Sequence, residues 1–159
     1  MHGLVFAHGA GAGMSHSFMV RMADALLDED IATLRYQFPY MEYGKRIPDR
    51  QPKLLDTVRA AVECFGEIAP DMKCVAGGKS MGGRMTSLAV SKGLVPRVTA
   101  IAFFGFPLHP PKKPGTEQAK HLAEVDVPMM FVQGTRDKLA PKDLLQPIID
   151  DLDKAVVDW

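Results

Sequence analysis

The sequence predicts an α/β fold of three layers, with helices on both faces of a mainly parallel sheet. Three observations carry that expectation. Short, continuously apolar runs (Leu4–Ala7, Ala100–Phe104, Val127–Val132) suit strands buried on both faces. Stretches with apolar residues at helical spacing fall between them. The third is Val75-Ala-Gly-Gly-Lys-Ser-Met-Gly-Gly-Arg84, where an apolar run collapses into glycines, presents one serine and leaves as an amphipathic segment. That pattern is a strand, a sharp turn and a helix.

In chain order, Leu4–Ala7 is a strand that ends at His8-Gly9-Ala10-Gly11-Ala12-Gly13. Phe18, Met22, Ala25 and Leu26 mark a helix that stops at Asp28-Glu29-Asp30, and Ile31–Tyr36 is the second strand. Pro39, Gly44, Pro48 and Pro52 then punctuate a long irregular connection. A loop leaving the carboxyl end of a strand should border the ligand crevice, so this stretch, with Glu42, Lys45, Arg46, Asp49 and Arg50, is expected to border it and Arg50 to line it, the alternative being a solvated charged loop.

Leu54, Leu55, Val58, Ala61, Val62 and Phe65 form a helical stripe opened by Pro52 and closed by Gly66 and Pro70. After the serine turn comes the strand Ala100–Phe104, then a proline-stiffened loop, Gly105–Pro114, carrying His109. A short helix over Glu117–Leu122 and the strand Val127–Val132 follow, the strand running into Gln133-Gly134-Thr135-Arg136-Asp137. A helix around Leu144–Leu152 must be started or kinked by Pro147, and Ala155–Trp159 reads as the last strand.

At 159 residues, 47% hydrophobic and 24% charged, the chain is expected to form one domain over residues 1–159. A net charge of zero with interspersed signs gives no footprint for nucleic acid or for a charged membrane surface. The apolar runs are strand-sized and Met1-His2-Gly3-Leu4 does not resemble a signal peptide, so the expected location is cytoplasmic. Cys64 and Cys74, the two cysteines, are expected as buried thiols. No zinc-type spacing occurs, so neither a metal nor a cofactor is expected.

The chemistry centres on Gly78-Lys79-Ser80-Met81-Gly82, which fits G-x-S-x-G: a serine held in a strained turn leaves no room for side chains two residues to either side. Ser80 would stand at a helix N-terminus, with the Met81 amide as one oxyanion donor and Ala10, in the glycine loop after the first strand, as the second. Two overlapping motifs fail. A Walker loop needs glycine where Lys73 stands, and a G-x-G-x-x-G fingerprint from Gly9 or Gly11 needs it at Met14 or His16. His8, at its strand end, is expected to line the site with Gly9 and His109 and to brace the loop rather than to react. Asp137, after a later strand, stands where an acid could orient a histidine, the alternative being a turn cap.

Together, His8–Met14, Phe38–Glu42, Pro48–Arg50, Gly77–Arg84, Phe106–Pro111 and Gln133–Asp137 resemble the α/β-hydrolase-like proteins related to dienelactone hydrolases. That family includes the testis-expressed hydrolase-like protein and the third subunit of the NSL acetyltransferase complex. The resemblance implies an α/β-hydrolase fold and a Ser80 nucleophile but names no substrate; the expected activity is cleavage of a small-molecule ester or similar acyl bond, the alternative being a hydrolase-like binding or scaffold protein. It implies nothing about oligomeric state. The hydrolase pattern keeps its histidine after the last strand, whereas the last histidine here, His121, precedes Asp137. The expectation is therefore a minimal fold without the C-terminal loop and helix, feebly active at most, with His109 as the one local substitute for the base.

Overall fold

The computed structural model describes residues 1–159. Six strands, β1 His2–Ala7, β2 Ala32–Tyr36, β3 Lys73–Lys79, β4 Val98–Phe104, β5 Met129–Val132 and β6 Ala155–Asp158, form one sheet in the order β2-β1-β3-β4-β5-β6. Every pairing is parallel, so the expected mainly parallel sheet is wholly so.

This order dictates the layering. A parallel crossover is right-handed, so a step in one direction along the sheet puts its helix on one face and a step the other way puts it on the opposite face. Only β1 to β2 runs toward the β2 edge. Its helix α1, Ser17–Leu27, is accordingly alone on its face, where Met19 packs on Leu4 and Phe6. All later steps run the other way. Helices α3 (Gln51–Ile68), α4 (Met81–Ser91) and α5 (Lys142–Asp150) and the 3-10 segment Glu117–Glu124 contribute to a single cluster of 29 buried residues on the other face, which takes Val5 and Ala7 from β1. Alternation along β1 thus feeds both cores.

Three details differ from expectation. The connection after β2 contains a short helix, α2, Pro39–Glu42, whose Tyr40 is fully buried. Pro147 lies inside α5, which begins five residues earlier at Lys142. Cys64 is exposed, because the buried stripe of α3 runs through Ala61, Val62 and Phe65 and leaves position 64 on the outer face; Cys74 is buried as expected. No helix is long and apolar enough to cross a membrane.

Candidate active site

Strand β1 has β2 on one side and β3 on the other, so the chain reverses its direction of travel between β1 and β3. The carboxyl ends of two such strands part to leave a crevice, and here those ends are the His8–Ala10 loop and Ser80.

Ser80 lies between β3 and α4 at φ 49° and ψ −117°, a backbone region that side chains rarely adopt and that costs about 1–3 kcal/mol. The turn is held there by its fit against β1. A Cβ on Gly78 would stand 2.5 Å from the Ala7 carbonyl oxygen, and one on Gly82 2.5 Å from that of His8. The Ser80 amide donates to the Phe104 carbonyl at 3.2 Å, tying the turn to the end of β4.

The loop opposite is braced by two buried residues. The Phe38 amide donates to Nε2 of fully buried His8 at 3.0 Å, so the proton sits on Nδ1 and is donated to the Gly9 carbonyl at 2.7 Å. Burial pushes the His8 pKa down and keeps this neutral form. Next to it, the Tyr40 hydroxyl donates to the Ala10 carbonyl at 2.9 Å. Burial, with the charge of Asp49, raises Tyr40 to about 12, so it keeps its proton. The Ala10 N–H has no intramolecular acceptor. Met81 opens α4, where a helix leaves its first amides unpaired.

Two cavities meet at Ser80 and Ala10. The larger, about 370 Å³, adds Met81, Arg84, His109 and Asp49 to its walls. The smaller, about 220 Å³, adds Gly9, His16 and Lys79. Each cavity holds one histidine, and their hydrogen bonds assign opposite tautomers. His16 caps α1 by accepting the Phe18 amide on Nδ1, so its neutral ring carries the proton on Nε2. Buried His109 donates from Nδ1 to the Pro110 carbonyl at 2.9 Å, leaving Nε2 as the nitrogen able to take a proton. The loop therefore contains the tautomer-fixing partner that its sequence does not reveal.

The other expected residues are placed apart. His8 stands behind the loop and lines neither cavity. Arg50 caps α3 with its side chain exposed, while its neighbours Asp49 and Gln51 face the larger cavity. Asp137 lines a shallow surface concavity with Arg136 and Lys138 rather than the Ser80 cavity. Its Oδ1 accepts the Leu139 amide at 2.9 Å and its Oδ2 the Gln133 side-chain amide at 3.0 Å, the pattern of a turn cap. Ser80 and Asp137 flank the end of β4: the first holds Phe104, and the second lies 3.7 Å from the Cβ position of Gly105.

Sequence reading missed Arg84, while Asp49 belongs to the loop expected to border the crevice. Arg84 had a signal: four residues after Ser80 on α4 is one helical turn, hence the same side of the helix.

The alpha/beta hydrolase domain family model matches residues 1–159. The chain belongs to that family. This alpha/beta hydrolase domain is also similar in fold to a dienelactone hydrolase from Anabaena variabilis, at 18% identity and a TM-score of 0.79 over 99% of this chain and 73% of that one. An alpha-beta serine hydrolase homologue from Coxiella burnetii superposes at a TM-score of 0.77 and 16% identity, covering 99% of this chain and 74% of that one. Est1E from Butyrivibrio proteoclasticus, solved with ferulic acid bound, gives 0.75 at 14% identity, with 99% and 78% covered.

Proposed function

We propose that this domain is a serine hydrolase that cleaves an ester or similar acyl bond. The observation that carries the reading is the strained Ser80 backbone, packed against β1 with two amides beside it. A position held against its own conformational preference is a feature of reactive sites. Ser80 Oγ attacks the acyl carbonyl while His109 Nε2 takes its proton. The oxyanion is held by the Met81 and Ala10 amides, and collapse expels the alcohol, which regains the proton from the imidazole. Water repeats the sequence and frees Ser80. Asp137 enters the proposal as the acid for an imidazole reaching the Gly105 side of Ser80. The substrate is a small molecule, the proposed location is cytoplasmic, and nucleic acid has no part.

A binding protein without turnover is the second reading. It is favoured by Asp137, whose oxygens accept from Gln133 and Leu139 rather than from an imidazole. Hydrolysis of p-nitrophenyl acetate separates the two. Turnover lost in Ser80→Ala and His109→Ala, and kept within about tenfold in Asp137→Asn, is expected for the first reading with His109 as the base. No Ser80-dependent turnover is expected for the second.

A further inference from the structure

We propose that the ligand of the Ser80 cavity carries, besides its ester, a carboxylate or phosphate group that Arg84 binds. The inference rests on reading this cavity as the substrate site, and it concerns the class of substrate.

Arg84 lies on the wall of the larger cavity, one helical turn beyond Ser80. Arg84 is half-buried, and no side chain hydrogen-bonds or pairs with its guanidinium. The ion pairs of the molecule are Lys53–Asp49, Arg59 with Asp56 and Glu63, and Lys120–Glu117. Asp49, the one carboxylate on the same wall, pairs through Oδ1 with Lys53 at 3.3 Å, while its buried Oδ2 has no hydrogen-bond partner and is not paired with Arg84. The imidazole of His121, packed near Arg84, is neutral and accepts no charge from it: burial, then the Arg84 charge, lower its pKa to about 4.

A guanidinium stays protonated in proteins, so burial cannot be relieved by losing the proton. Burial nonetheless disfavours the Arg84 cation. A part-buried cation that no carboxylate of the chain pairs with is stabilised by an anion from outside, and its planar fork suits a carboxylate or phosphate bidentately. The amides of Gln51 and Gln118, on the same wall, can donate to the same group. A half-ester of a short dicarboxylic acid carries both groups.

Titration calorimetry on Ser80→Ala protein, which cannot turn over, tests this with monomethyl glutarate, dimethyl glutarate and inorganic phosphate. The mono-anion should bind about ten- to a hundredfold more tightly than the neutral diester. That preference should disappear in Arg84→Gln and survive in Arg50→Gln, whose side chain lies outside the cavity. Phosphate that displaces monomethyl glutarate marks a phosphate-bearing ligand; phosphate that does not marks a carboxylate. Equal binding of the two esters, or a preference intact in an Arg84→Gln protein that melts like its parent, would overturn the proposal. If Arg84→Gln does not fold, Arg84→Met decides, since it keeps the apolar stem but loses the charge; an undiminished preference would then count against the proposal. Because binding is read without turnover, a preference in a protein whose Ser80 proves unreactive upholds the anion site and removes the esterase reading. Reactive Ser80 without a preference does the reverse.

Discussion

The Phe38 amide donates to Nε2 of His8 at 3.0 Å across 30 residues of sequence, so the loop after β2 is fastened to the loop that presents Ala10. The rings also meet edge to face, with centroids 4.9 Å apart. Replacing His8 by alanine leaves the Phe38 amide without its acceptor and opens a void. Stability should fall by about 2–4 kcal/mol. With the Ala10 amide misplaced, ester turnover should fall at least about tenfold. Denaturant unfolding and p-nitrophenyl acetate kinetics on His8→Ala check both effects, and unchanged turnover would separate the brace from the oxyanion site.

Ser80 should be a position where function costs stability. At φ 49° a glycine is unstrained, so Ser80→Gly should raise the unfolding free energy by about 1 kcal/mol while abolishing turnover. Thermal melting of parent and variant reads the change. A destabilised Ser80→Gly would mean that the turn is not strained.

Acid should weaken the fold through two histidines. Burial, with the Arg84 charge as a second cause, lowers His121 from 6.5 to about 4, and burial lowers His8 in the same direction. The unfolded chain then binds these protons more readily than the folded one. Their contribution is full above about pH 6.5 and is lost as pH falls toward 4, amounting to about 2 kcal/mol for the partly exposed His121. Urea unfolding at pH 7.5 and 4.5 measures the slope. His121→Gln, which can still hydrogen-bond with the Ser87 hydroxyl, should flatten it, and a slope unchanged in that variant would contradict the assignment.

The sheet was legible because parallel strands are buried on both faces, so Leu4–Ala7 and Ala100–Phe104 stand out as unbroken apolar runs. The Ser80 turn was legible because Gly78 and Gly82 must touch β1, and only glycine can. Cys64 was misjudged by one helical step, since its α3 neighbours Val62 and Phe65 are both buried. Arg50 was misjudged likewise, with Asp49 and Gln51 facing the cavity in its place. The His109 tautomer and the missing counter-ion of Arg84 could not be read at all. Each depends on which loop carbonyl or carboxylate arrives beside it in space, and sequence spacing does not encode that.

The nucleophilicity of Ser80 is tested most directly by fluorophosphonate labelling, with the modified peptide mapped by mass spectrometry. The reagent reports a serine that is both nucleophilic and beside oxyanion donors. One residue, Ser80, should be modified, with labelling lost in Ser80→Ala and slowed at least about tenfold in His109→Ala. Labelling of a different serine, or equal labelling of the parent and Ser80→Ala, would contradict it.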